Sequence, residues 1–241
     1  MSNLFQYSKY NGDISEWNVS NVTNMSSMFY RSSFDMPLLS WDVSNVTNMS
    51  YMFQKTKFNN DISQWDVSNV KRMDGMFANS SFTGDISEWD VSNVESMLIM
   101  FMSSKFNGNI SNWNVSKVTN MEAMFYDSVF KKDISKWDVS SVTNMRDMFG
   151  RSKFNGIISG WNVSNVMDMT CMFILSKFNG DISGWDVSNV VRMDNMFENS
   201  KFTGDISGWD VSTVISYRNV FSGCPISEVN KPVKFRSYVY K

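Results

Sequence analysis

Residues 178–201 read FNGDISGWDVSNVVRMDNMFENSK, and this 24-residue unit recurs with substitutions along nearly all of the 241-residue chain. The nine tryptophans fall 24 apart, at Trp17, Trp41, Trp65, Trp89, Trp113, Trp137, Trp161, Trp185 and Trp209. The same step carries Ile14 (with Leu38) to Ile206, Val19 to Val211, Val22 to Val214, Met25 to Met193, Met28 to Met196 and Phe29 to Phe221. A fixed period of this length describes a unit that cannot bury its apolar face alone and must stack on its neighbours. The chain therefore divides into a partial repeat or N-terminal cap (1–9), nine stacked coils (10–225) and a C-terminal capping segment (226–241).

Within a coil, Ile14, Trp17, Val19 and Val22 follow L-x-x-L-x-L-x-x, and the two-residue step from Trp17 to Val19 predicts a short strand. Val22, Met25, Met28 and Phe29 then sit at i, i+3, i+6 and i+7, the apolar stripe of a short helix or helical turn. Ser20 and Asn21 precede it as N-cap types. The return loop carries Asn-Gly, as at Asn107-Gly108 and Asn179-Gly180, a dipeptide suited to positive φ. The expected fold is α/β: a leucine-rich-repeat-like solenoid of nine coils, with a parallel β-sheet on one face and short helices on the other. Its length would be about 40 Å at about 4.8 Å per coil. Val233–Lys241 alternates like a strand, Lys and Arg to one side, and reads as a cap on the last coil.

The run N-G-D-I-S-x-W-D-V-S-N-V-T-N-M-x-x-M-F resembles the BspA-like branch of leucine-rich repeats, a type abundant in mycoplasma surface lipoproteins. The likeness spans about nine tenths of the chain. It implies a leucine-rich-repeat-like solenoid, surface display, and adhesion or partner binding. The secretion signal and lipidated cysteine of the mycoplasma proteins are not among these residues, so a virion or other assembly stays open beside the cell surface.

Composition narrows the function classes. Histidine is absent and the only cysteines are Cys171 and Cys224, which removes the usual general base and most zinc or copper ligand sets. The cysteines occupy different repeat positions and read as reduced packing residues. A net charge of −2 with interspersed signs gives no footprint for nucleic acid, and no apolar run reaches the roughly 20 residues of a membrane span. Catalysis by paired carboxylates needs two groups in unlike environments, and a repeated, equivalent set offers none. The expectation is a non-enzymatic protein with no cofactor and no bound metal.

Asn18, Asp42, Asp66, Asp90, Asn114, Asp138, Asn162, Asp186 and Asp210 follow the tryptophans and should form a ladder. It has two readings: a row of close carboxylates relieved by calcium, or side chains that cap the turn at Val19-Ser20-Asn21. The second explains why Asn substitutes three times.

Specificity must lie where coils differ. The residue before tryptophan runs Glu16, Ser40, Gln64, Glu88, Asn112, Lys136, and then Gly160, Gly184 and Gly208. These glycines, with Asp186 and Asp210, are the candidate platform for a protein or glycan partner; recent repeat duplication is the competing account. Coil four carries Leu98, Ile99 and Met102 where polar residues are usual, and coil seven carries Met167, Cys171, Ile174 and Leu175. Facing outward, Leu98, Ile99, Met102, Ile174 and Leu175 would be contacts to another subunit; rotated inward, they would be packing. The expected function is recognition of a protein or glycan at a surface, with a structural role in an assembly as the alternative.

Overall fold

The computed structural model describes residues 1–236. Among them the coils stack in the 24-residue register, but the α/β expectation fails. Among the described residues no multi-residue strand and no sheet form, and the only helices are the 3-10 turns Glu228–Asn230 and Val233–Phe235. Neighbouring coils touch as strands at single residues, through parallel bridges from Asn24↔Asn48 to Arg192↔Ser216.

Turns, not a strand, produce this spacing. The Trp17 amide donates to the Ile14 carbonyl (3.1 Å) and the Val22 amide to that of Val19 (2.8 Å), and the pair repeats in every coil. Two β-turns joined by one outward residue thus place Ile, Trp, Val and Val inside, producing L-x-x-L-x-L without a strand. The expected helix is also a run of turns, with amides of Met28, Tyr30 and Ser32 donating to carbonyls of Met25, Ser27 and Phe29. Ser27 (φ 55°) and Arg31 (φ 53°) are left-handed, and so are their equivalents along the stack, which no α-helix tolerates.

What outweighs that strain is a backbone ladder. The amides of Met25, Ser27, Phe29 and Arg31 donate to the carbonyls of Asn48, Ser50, Met52 and Gln54 in the next coil, at 2.8–3.0 Å. Left-handed geometry for a non-glycine costs about 1–2 kcal/mol. In return these amides find acceptors in the adjoining coil instead of being buried unpaired.

Side chains stitch the other half of the coil. Each indole from Trp41 to Trp209 donates Nε1 to the carbonyl at the Ile14 position of the preceding coil, at 3.0–3.1 Å. Asn45, Asn69, Asn93, Asn165 and Asn189 donate Nδ2 to the preceding coil's serine carbonyl at 2.7–2.9 Å. Phenylalanines fill the axis: rings of the Phe29 column stack 5.5–6.0 Å apart. The Phe34 column lies beside them, centroids 4.2–4.5 Å away. Most methionines are core, as their spacing implies.

The Asn-Gly glycines are not at positive φ; only Gly75 and Gly223 are. A Cβ on Gly108 would meet the Phe106 ring at 2.8 Å, so glycine there makes room for the aromatic two residues earlier. The C-terminal segment caps the last coil, but Val233–Phe235 is a 3-10 turn where strand alternation was expected, and residues 237–241 of that stretch lie outside the described residues. Lys234 Nζ donates to the carbonyls of Val211 (3.1 Å) and Val214 (2.7 Å), and Phe235 sits 5.2 Å from the Tyr217 ring.

Candidate binding surfaces

Each aspartate or asparagine after tryptophan closes the following turn. Asp42, Asp186 and Asp210 accept through Oδ1 from the amides of Ser44, Ser188 and Ser212 at 3.1, 3.0 and 2.9 Å. The Ser188 hydroxyl and amide hold the Asp186 carboxyl below the usual range, while the Asp210 charge works weakly the other way. The acidic column that starts the repeat does the same, Asp181 Oδ1 accepting the Ser183 amide at 2.9 Å. Among the described residues no group of three or more His, Cys, Asp or Glu side chains is arranged to hold a metal. Nor is any helix there long and apolar enough to cross a membrane.

Gly160, Gly184 and Gly208 are exposed, and a Cβ at any of them would meet nothing within 4 Å. They leave a smooth strip of backbone beside Asp186 and Asp210. Position, not conformation, distinguishes them, since none has positive φ.

The apolar outliers fall into two settings. Ile99 and Tyr51 flank Gly75 from either side: a Cβ there would lie 3.4 Å from Ile99 Cδ1 and 2.5 Å from Tyr51 Cδ1. Ile174 and Tyr126 flank Gly150 in the same way, at 3.0 and 2.9 Å. A large–glycine–large alternation thus fills each gap from neighbouring coils. Leu98, Ile99, Met102 and Ile174 are half-buried; Leu175 remains exposed at 46 %.

A feature missed by sequence reasoning lies across coils six to nine. The column following Val22 is Thr23, Thr47, Lys71, Glu95, Thr119 and Thr143, and then Met167, Val191 and Ile215. Lys71 and Glu95 make an exposed ion pair at 4.0 Å. The later residues form an apolar row, with Met167 50 % and Ile215 78 % exposed. Ser141, Thr143, Asn165, Met167, Asn189, Val191 and Thr213 line a shallow groove of about 750 Å³. The switch from polar to apolar is visible in the sequence of this column alone.

Buried charge was also missed. Asp74 is fully buried, accepts from Arg72 Nη2 at 2.6 Å, and is bonded by the Ser96 hydroxyl of the next coil. Arg192 reaches back to Asp168 at 2.8 Å; burial pushes that carboxyl up, but the Thr170 amide and Arg192 outweigh it and hold it low. The Arg192–Asp168 pair links neighbouring coils, whereas Arg72 and Asp74 share one coil and the Ser96 hydroxyl makes the link there. Cys171 and Cys224 are free thiols, half-buried, and burial raises the Cys171 thiol.

A family model described as "Mycoplasma protein of unknown function, DUF285" matches residues 1–81, 54–152, 79–175 and 127–234. The chain belongs to this family. The four overlapping matches run through every coil of this DUF285 protein and into its cap, so the repeat itself is the family's signature. No curated protein and no solved structure matches it.

Proposed function

We propose that this DUF285 protein is a non-enzymatic scaffold that recognises a protein or glycan partner at a cell surface, in the manner of the BspA-like repeats it resembles. The observation that carries the reading is the gradient along the stack. Coils three to five present charged and polar side chains in the column after Val22, and coils seven to nine present Met167, Val191 and Ile215 there, together with open glycines at 160, 184 and 208. Exposed apolar residues gathered in one stretch mark contact surfaces more often than chance scatter does. Bare backbone permits close approach of a ligand.

The test is a glycan array and a partner pull-down with the whole chain and two variants, Gly184→Arg and Met167→Glu/Ile215→Glu. A ligand retained by the parent and lost by both variants supports the reading. Retention by both sinks it. The same variants also separate recognition from a structural role in an assembly, because self-assembly would be lost without any captured ligand.

A further inference from the structure

The backbone ladder runs one way, and it ends in donors. Its last closed set links the amides of Met193, Asn195, Phe197 and Asn199 to the carbonyls of Ser216, Arg218, Val220 and Ser222. The next set, the amides of Tyr217, Asn219, Phe221 and Gly223, points the same way and meets no acceptor among the described residues. The cap packs Phe235 against the Tyr217 and Phe221 rings but gives these amides no acceptor, because its hydrogen bonds to the stack go to the other half of the coil. Asn230 O takes the Ile206 amide at 2.9 Å, Asn230 Nδ2 reaches Thr203 O at 3.2 Å, and Lys234 holds Val211 and Val214.

Between the amide edge and the cap lies a cavity of about 450 Å³ whose lining includes Tyr217, Asn219, Phe221, Lys231, Lys234 and Arg236. Two features give it a sign. The left-handed residues (Asn219 at φ 54°, Gly223 at φ 66°) keep the row of alternate free amides facing one way, an edge of partial positive charge. Three cations rim the same space and are held in place: Lys234 by the carbonyls above, Arg236 by the carbonyls of Lys231 (3.0 Å) and Val229 (3.1 Å), and Lys231 by Glu228 and over the Phe221 ring at 5.3 Å. A bound anion would meet donors already oriented, with little side-chain ordering left to do.

We propose that this end of the stack is an oxyanion site, taking a phosphate, sulfate or carboxylate group on the amides of Tyr217, Asn219 and Phe221 beneath Lys234 and Arg236. It does not depend on the recognition surface of coils six to nine.

The experiment is a titration of the ¹⁵N-labelled full chain with inorganic phosphate, and in a second arm acetate, against chloride at equal ionic strength. Saturable shifts concentrated at Asn219 and Phe221 are expected, and whichever anion gives them identifies a phosphate-like or carboxylate source. Lys234→Gln should weaken binding about tenfold through loss of a nearby unit charge, since the three Nζ hydrogens are already given to Val211, Ser212 and Val214. Lys234 also braces the cap, so Ser222→Glu is the second variant: it adds a carboxylate at the exposed cavity wall and should abolish the shifts in a protein that still folds. Shifts spread over the surface without saturation overturn the proposal. So does concentration-dependent sedimentation with these amides protected in the absence of anion, which would mean that carbonyls of a second copy fill the edge.

Discussion

The two halves of each coil are held to their neighbours by different chemistry. From Ile14 to Val22 the stitches are side chains, the indole of tryptophan and the amide of asparagine, reaching back one coil. From Met25 to Arg31 they are backbone amides reaching forward. A side-chain stitch ties the fold to one residue type, and Trp recurs in all nine coils. A backbone stitch leaves the outward side chains free, and the Arg31 position takes Arg31, Lys55, Asn79, Ser103, Asp127, Arg151, Leu175 and Asn199 in successive coils. The ladder half can therefore diversify without loss of stacking.

Acid acts at once on the seven coils that carry an aspartate turn cap, all but the fifth and seventh, and should be the largest perturbation. Serine hydroxyl and amide bonds hold Asp13, Asp61, Asp181, Asp205 and Asp210 below the ordinary carboxylate value. A depressed folded value contributes stability that is fully present above the unfolded pKa, about 3.9, and is lost as pH falls through the folded one. Melting temperature should be level from neutral pH to about 5 and fall steeply below about 4. A melt unchanged at acid pH would show that the turn caps contribute nothing.

Single substitutions follow in order. Trp113→Ala, which empties a buried site and leaves the Ile86 carbonyl without its indole, should cost about 3–5 kcal/mol in urea denaturation. Trp17→Ala should cost about 1–2 kcal/mol, since that ring is 41 % exposed. Asp74→Ala, removing the buried acceptor of Arg72 and Ser96, should cost about 1–3 kcal/mol. Asn69→Ala breaks a 2.8 Å stitch and should cost about 1 kcal/mol. Gln54→Ala in the ladder half should stay within about 0.5 kcal/mol, and equal losses at Asn69 and Gln54 would erase the distinction between halves. Smallest and opposite in sign, Lys55→Asn should stabilise by up to about 1 kcal/mol, because Lys55 sits at φ 58° and asparagine tolerates that region best after glycine.

The register and the inward columns were legible in the sequence because each depends on residue type at a fixed step. The columns headed by Ile14, Trp17, Val19 and Val22 are buried from the second coil onward, whatever the backbone does. Local conformation was not legible. Inward spacings of three and four fit a helix or successive turns equally well, and the choice is made by amides that find acceptors 23 residues away. Nothing at Ser27, Tyr51 or Ile99 announces positive φ. Among site residues, the packing of Ile99 and Ile174 depends on their partners Gly75 and Gly150, one coil away.

The forward ladder also sets how the molecule answers to force. Its bonds lie along the stacking axis, so tension on the two ends loads one coil junction after another and not all in parallel. The chain should give way by peeling, each lost coil paying out 24 residues, about 80 Å of extended backbone. An extension trace would then show a sawtooth of equal, low steps, making the stack a reserve of length that is released a coil at a time and wound back when the load is removed.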